Sequence, residues 1–343
     1  MDICLSRIPY KTALGTEYMK KRLFSGIQPS GDIHIGNYLG ALKNWVAMAR
    51  QYDSIFCVVD YHAITIPYDT AGFRSRILHT AAMLMAVGLK PEECKIFVQS
   101  HVPEHTELCW VLSTVIQMGH LERMIQYKEK SKQHAENINV GLFTYPVLQA
   151  ADILIYKAEV VPVGEDQIQH IELSREIARK FNTRFGPIFP EPLEKVSAGA
   201  RIMGLDGQAK MSKSLGNTIA LTDTPEIIHQ KLKTAVTDVN RKRRSDTGNP
   251  DVCNLFTLHK YFSGSETVDE INKECRNAGI GCIDCKTKLA AHMSAELNPI
   301  RERYNAIVSH TEDVVGHLES GANQCREMAR QTMGEVRSAI GIR

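Results

Sequence analysis

Long apolar runs are absent from this chain, and no stretch approaches the roughly 18 residues that a membrane span needs. The first 18 residues also lack the apolar core of a secretory signal. Their Arg7 and Lys11 are offset by Asp2 and Glu17, which argues against an organelle-targeting leader. "MKKRLF" at Met19 reads as an alternative start, so residues 1–18 are expected to be an N-terminal extension and the compartment cytoplasmic. A dominant charge is absent as well. The 41 Lys and Arg stand against 39 Asp and Glu, and the net charge of +2 by itself says nothing about nucleic acid. No internal repeat and no low-complexity segment occurs. Without a secretory signal, nine cysteines argue against a disulfide framework and for reduced thiols or metal ligands.

What is present is a composition of 43% hydrophobic and 23% charged residues over 343 positions, which favours two domains. "RLFSGIQ", "SIFCVVD", "KIFVQS" and "EVVPVG" read as strands buried on both faces, since they lack strict alternation. Helical patterns lie between them; Tyr38, Leu39, Leu42, Trp45, Val46 and Ala49 fall on one helical face. Strand then helix, repeated, predicts an α/β fold with a doubly wound, Rossmann-type parallel sheet, which binds ligands at the carboxyl ends of its strands. After about Leu205 the pattern changes. "DGQAKMSKSLGN" is polar and glycine-punctuated, hence expected to be a mobile loop. Thr224 as N-cap and Pro225 at the first position open a helix, and only helical patterns follow. The expected organisation is a catalytic domain over 19–205, a loop over 206–222 and an all-helical domain over 223–343.

Two short motifs carry chemistry. In "FSGIQPSGDIHIGNYLGA" a strand meets a Pro-Ser-Gly turn and then a helix. Gly26, Gly31 and Gly36 allow close backbone approach, and His34 and Asn37 stand where the helix begins, an end that suits phosphate. The spacing is neither G-x-G-x-x-G nor a Walker loop. In "AKMSKS" two lysines three residues apart form a cationic clamp able to follow phosphate oxygens as charge moves onto a leaving group. Each motif alone is weak; together they are specific.

"HIGN" and "KMSKS" resemble the two signatures of class I aminoacyl-tRNA synthetases. With "VVDYHAIT", "LERMIQYKEKS", "TYPVLQAADILIY" and "VPVGEDQIQHIELSREIA", the chain from about Arg22 onward resembles the tryptophanyl-tRNA synthetase family. The resemblance implies a ligase that activates L-tryptophan with ATP and Mg2+, then passes it to the 2′-OH of the terminal adenosine of tRNA(Trp), working as a homodimer without a membrane. It also implies roles. His34, Asn37, Lys210, Lys213 and Lys130 act on the phosphates, Lys130 sharing "YKEKS" with Lys128. Gln28, Ser30, Gly36, Gly164, Asp166, Met211 and Ser212 complete the ATP contacts, with Glu165 at the same edge. Asp152 accepts the indole N–H, the one polar handle of the tryptophan side chain. Phe24, Gly26, Gln28, His62, Tyr145, Val161, Val163 and Gln167 line the amino-acid pocket. Where many bacterial members carry methionine this chain has Gln149, and no contact is assigned to it.

Cys253, Cys275, Cys282 and Cys285 give C-x21-C-x6-C-x2-C within the helical half. Spacing leaves three readings: unligated buried thiols, structural zinc, or an iron–sulfur cluster. The resemblance favours a four-iron, four-sulfur cluster, because some bacterial members carry one on a nearly identical pattern with one more residue in the first gap. Helical domains of the family bind the tRNA anticodon, and the basic run Arg241, Lys242, Arg243 and Arg244 is expected to meet tRNA phosphates. Two other classes compete: a small-molecule adenylyltransferase, which needs no helical half, and a non-catalytic tryptophan sensor, which needs no phosphate clamp.

Overall fold

The computed structural model describes residues 9–11, 17–133, 136, 138–196 and 202–342. Of the extension expected over 1–18, residues 9–11 form β1 (Pro9–Lys11), paired antiparallel with β2 (Glu17–Met19); the remainder lies outside the described residues. The main sheet has five strands: β3 (Arg22–Ile27), β4 (Asp53–Val58), β5 (Lys95–Val98), β6 (Val160–Val163) and β7 (Leu193–Val196). Their order is β5-β4-β3-β6-β7, and every pair is parallel. The four strands read from apolar runs are there. β7 was not read from the sequence, because "LEKV" is mostly exposed and follows a Pro-rich turn. β4 and β5 are buried along nearly their whole length, as a parallel sheet covered on both faces requires.

The chain order reverses between β3 and β6, the place where such a sheet opens a crevice. Their pairing is short, with Leu23 opposite Val160 as the one registered pair among the described residues. Pro162 has no N–H to donate, and its carbonyl accepts the Ser25 hydroxyl at 3.2 Å instead. At the amino ends of the strands, Asp53 takes Arg22 Nε at 3.0 Å and Lys95 Nζ at 2.7 Å, tying β3, β4 and β5 together. Burial alone would push that carboxyl up; Lys95 and Arg22 outweigh it and hold it below the usual range.

The chain forms two compact units that are not consecutive segments. Unit 1 comprises residues 1–31, 44–197 and 310–343; unit 2 comprises 32–43 and 198–309. The boundaries expected at 205 and 222 therefore do not coincide with those of the units. The Thr311–Ala339 helix belongs with the sheet, because its small face lets it approach β5: a Cβ on Gly321 would lie 2.1 Å from the Ile96 carbonyl oxygen. Ala322, Cys325, Ala329, Met333 and Val336 carry that face into the core of unit 1 with Ile55, Phe97, Leu154 and Phe181. Unit 2 is helical, with Thr224 capping Pro225–Thr234 as expected, followed by Asn254–Phe262, Ser265–Arg276 and Cys282–Val308.

Gly321→Ala is expected to lower stability by about 3 kcal/mol, since backbone cannot yield to the added methyl. Gly334→Ala in the same helix, where a Cβ meets nothing within 4 Å, is expected to add about 0.5–1 kcal/mol by helix propensity. Denaturant titration of the two variants measures the contrast; equal effects would remove the close-approach argument.

Candidate functional site

Unit 1 holds a buried polar centre. Asp152 lies near the end of the Val140–Leu154 helix among buried Ala150, Ala151, Ile153 and Leu154, and is 1% exposed. Its Oδ2 meets His62 Nε2 at 2.8 Å; its Oδ1 accepts from Gln99 Nε2 at 2.7 Å and meets His105 Nδ1 at 2.6 Å. His105 Nε2 lies 2.7 Å from the Tyr156 hydroxyl. These partners come from the turn after β4, the end of β5 and the start of the Glu104–Ser113 helix, all segments that follow strand carboxyl ends. Burial pushes the Asp152 carboxyl up, but hydrogen bonds and charge from His105 and His62 outweigh it and hold it below the usual carboxylate range. An ionised carboxylate only accepts, so both imidazoles donate to it.

Apolar walls surround this centre. Phe24 stacks on Tyr156 with ring centroids 5.7 Å apart, and Val161 and Val163 are buried on β6. At Gly26 a Cβ would lie 2.8 Å from Val59 Cγ1, so the glycine lets β3 pass close. Tyr145 is buried, with its hydroxyl 3.0 Å from His170 Nε2, and the Lys130 ammonium sits 4.3 Å from the Tyr145 ring centroid. Burial lowers the Lys130 pKa, against the pull of Asp166. Gln167 donates to Asp166 Oδ2 at 3.0 Å and receives Gln149 Nε2 at 3.5 Å, a contact not assigned from sequence. Gly164, Glu165 and Asp166 are exposed in the turn after β6; Gln28 is half-buried and Ser30 exposed after β3; Lys128 is exposed.

Unit 2 brings residues 34–37 together with the lysines Lys210 and Lys213. His34 is the N-cap of Ile35–Asn37, and the chain continues through a π-helical turn, Tyr38–Leu42, into Lys43–Ala49. The His34 N–H donates to Asn37 Oδ1 at 3.1 Å, and Gly36 N–H donates to His34 Nδ1 at 3.1 Å. Backbone bonds from Ile35 N–H to the Ile219 carbonyl and from Leu221 N–H to the Ile33 carbonyl, both 2.9 Å, stitch this turn to the segment after the lysines. A Cβ on Gly36 would lie 2.8 Å from His34 Nδ1, so glycine makes room for the His34 ring over its own N–H, and Met211 packs alongside. Burial, then Lys213, then Lys210, lower the His34 pKa to about 4. His34 is therefore neutral near pH 7; with Nδ1 accepting, its proton sits on Nε2 as a donor. Burial also lowers the Lys213 pKa, with Asp32 opposing.

Side chains hydrogen-bond within the lysine loop. Asn217 Oδ1 accepts the Ser212 N–H at 2.8 Å, and Asn217 Nδ2 donates to Asp206 Oδ2 at 2.8 Å. A Cβ at Gly204 would collide with Asn217 Nδ2 at 1.9 Å. Met211 is buried beneath the loop and Lys210 is exposed.

Cys253, Cys275, Cys282 and Cys285 line one cavity in unit 2, with Arg241, Phe256, Ile271 and Ile280. Cys253 is the N-cap of Asn254–Phe262 and Cys282 is the first residue of Cys282–Val308, so two thiols sit at helix ends that favour negative charge. Arg241 Nη1 lies 3.8 Å from Cys275 Sγ and 3.9 Å from Cys282 Sγ, and Nη2 donates to the Arg244 and Ile280 carbonyls. Its Nε is buried without a partner. Arg241 thus turns inward from the exposed Lys242, Arg243 and Arg244, a departure from the shared phosphate role expected of the run. Burial raises the Cys285 thiol to about 12, with the other three thiols adding to it. Among the described residues no three Cys, His, Asp or Glu side chains are grouped to hold a single metal ion.

Sequence reasoning missed Gln99, His105, Tyr156, His170 and Asn217. His105 carried a signal: it shares an apolar helical face with Leu108 and Leu112. Gln99 carried none, since a buried amide after a strand is recognised only through its partners.

The family profile described as tRNA synthetases class I (W and Y) matches residues 18–298. A curated tryptophan–tRNA ligase of Deinococcus radiodurans is 50% identical over 326 residues, covering 94% of this chain and 98% of its own. That of Gloeobacter violaceus is 45% identical, covering 94% and 96%. The crystal structure of tryptophanyl-tRNA synthetase from Campylobacter jejuni complexed with ADP and tryptophan superposes with a TM-score of 0.84 at 36% identity, covering 93% of this chain and 99% of that one.

His34 and His170 both have their pKa lowered to about 4, mainly by burial. In the unfolded chain such groups take a proton near pH 6.5. The unfolded state then binds more protons than the native one, so stability present above that pH is lost as pH falls from about 6.5 towards 4. The melting temperature is expected to drop over this window, and less steeply in His170→Gln; an unchanged slope would count against neutral burial.

Proposed function

We infer the course of the reaction from the premise that this chain belongs to the class I aminoacyl-tRNA synthetases and, within them, to the tryptophan–tRNA ligases. A tryptophan carboxylate oxygen attacks the α-phosphorus of ATP; the bond to the β-phosphate oxygen breaks, giving tryptophanyl-adenylate and pyrophosphate. The 2′-hydroxyl of the terminal adenosine of tRNA(Trp) then attacks the acyl carbon, and AMP leaves. A carboxylate is already a competent nucleophile, so positioning and charge stabilisation carry the first step.

The observation that supports these roles best is the meeting of His34 with Lys210 and Lys213 inside one compact unit. His34 donates Nε2–H to a phosphate oxygen as a neutral group. Asn37, whose Oδ1 is engaged in the cap, offers Nδ2. Lys210 and Lys213 neutralise the departing pyrophosphate, and Lys130 adds charge from its seat on Tyr145. Mg2+ supplies further neutralisation when bound with the phosphates. Asp152 accepts the indole N–H: of its roughly four acceptor positions three are taken by protein donors, which leaves one for the substrate. Phe24, Val161 and Val163 provide the apolar slot.

The chemistry of the cysteine cavity fits an anionic cluster. Four thiols line one cavity, and an underused guanidinium lies beside them. Cys253, Cys275, Cys282 and Cys285 would hold a four-iron, four-sulfur cluster, which supplies cross-linking of three helices. Exposed Lys242, Arg243 and Arg244 and the helices of unit 2 are proposed to meet the anticodon stem. No helix among the described residues is long and apolar enough to cross a membrane, and the reaction is assigned to the cytosol. A second copy of the chain is proposed to cover Trp110, Met118 and Ile125, which are 73%, 66% and 58% exposed.

Labelled pyrophosphate is expected to enter ATP only with tryptophan present; exchange driven by tyrosine would overturn the substrate assignment. Lys213→Ala should slow exchange by roughly 10²–10³-fold while the KM for tryptophan stays near its wild-type value. Anaerobically purified protein is expected to contain iron and acid-labile sulfide, and stoichiometric zinc without iron would replace the cluster assignment.

A further inference from the structure

The Asp152 centre contains more than its expected role needs. A carboxylate that accepts one indole N–H requires burial and one supporting donor, yet here it carries a chain of groups behind it. Asp152 Oδ1 meets His105 Nδ1 at 2.6 Å, His105 Nε2 meets the Tyr156 hydroxyl at 2.7 Å, and Tyr156 shares the buried core with the Cys325 thiol. All four side chains are essentially inaccessible to water, with exposures of 1%, 0%, 0% and 0% in that order. The Tyr156 ring is clamped between Phe24, stacked at 5.7 Å, and Phe97, edge-on at 5.8 Å.

Hydrogen-bond direction along this chain is fixed. Burial pushes the Tyr156 phenol well above its ordinary range, so it keeps its proton and donates it to His105 Nε2. His105 is then held in the tautomer that carries its proton on Nδ1, which donates to Asp152 Oδ1. Gln99 is fixed in the same way. Its Oε1 accepts the Tyr61 N–H at 3.1 Å, so its amide nitrogen must face Asp152. Oδ1 of Asp152 is thereby filled twice, while Oδ2 receives His62 alone.

We propose that His105 is a positioning residue for amino-acid specificity: set by Tyr156, it saturates Asp152 Oδ1 and fixes the carboxylate so that a single acceptor position on Oδ2 faces the substrate. The inference rests on the reading of Asp152 as the indole acceptor. A carboxylate with one open position on one oxygen takes a single donor in one direction. A substrate lacking that donor leaves the position unpaired in a dry site, which is the physical basis of strong rejection. His105 does not touch the substrate in this scheme; it acts through Asp152.

The experiment compares pyrophosphate exchange driven by tryptophan with that driven by β-(3-benzothienyl)alanine, in which sulfur replaces the indole N–H at nearly the same shape. His105→Leu is expected to lower kcat/KM for tryptophan by roughly 10- to 100-fold, through KM, and to leave the sulfur analogue and the KM for ATP nearly unchanged. His105→Asn, whose amide nitrogen falls where Nδ1 stands, should restore most of the preference. Tyr156→Phe, a gentler change of the same chain, should lower it by about 3- to 10-fold. If His105→Leu does not fold, the Asn and Phe variants decide between the outcomes. Equal losses for both amino acids would mean that His105 serves packing only. Asp152→Ala separates the two levels. If the preference for tryptophan survives that change, the indole reading itself falls. If Asp152→Ala abolishes the preference while the His105 and Tyr156 variants keep it, only the positioning role falls.

Discussion

The ionised carboxylate of Asp152, carried inside an apolar core, is the constraint that unit 1 is arranged to satisfy. Taking such a charge out of water costs several kcal/mol unless donors replace the water. Here they come from separate stretches: His62 after β4, Gln99 after β5 and His105 at a helix start, with Tyr156 behind. None of these is a sequence neighbour of Asp152 except Tyr156, so the sheet must set their positions. The Asp53 ion pairs at the amino ends of β3, β4 and β5 hold those strands in register at the opposite end from the polar centre. The polar centre and the sheet are in this sense one structure, since loss of strand register would leave a bare charge in the core.

Unit 2 meets the complementary problem. It gathers positive charge beside His34 and must do so without scattering its own elements by repulsion. His34 stays uncharged beside two lysines, and its ring nitrogen is used to fix the backbone of Gly36. The lysine loop gains shape from Asn217, which binds both Ser212 N–H and Asp206. Positive charge is thus concentrated on two flexible side chains carried by a backbone that is well determined. The cysteine cavity follows a related logic, with the Arg241 guanidinium set against thiols at helix ends.

The strands β3 to β6 and the Thr224 cap were legible because their signals are local: short apolar runs, and Thr-Pro before a periodic stretch. Burial of Asp152 was legible from its apolar neighbours. β7 was not, since its residues are exposed and its identity as a strand comes from pairing with β6. The partners of Asp152 were legible only in part: His62 was flagged, but Gln99 and His105 are joined to it by topology alone. Arg241 looked like its three basic neighbours, and only the fold shows that its side chain turns the other way. The expected two-part division missed the return of residues 310–343 to unit 1, because Gly321 and Ala322 look unremarkable until the backbone of β5 lies against them.

That return has a consequence for how the protein is made. Ribosomes deliver a chain from its first residue onward, and domains generally fold as they emerge. The helix that lies on the backbone of β5 is translated only after the whole of 198–309, so the first sheet waits with that flank uncovered while an entire second unit is synthesised. Nascent chains stalled before Thr311 would hold the apolar face of β5 open to chaperones, and completion of the earliest-made half is deferred until Thr311–Ala339 has emerged.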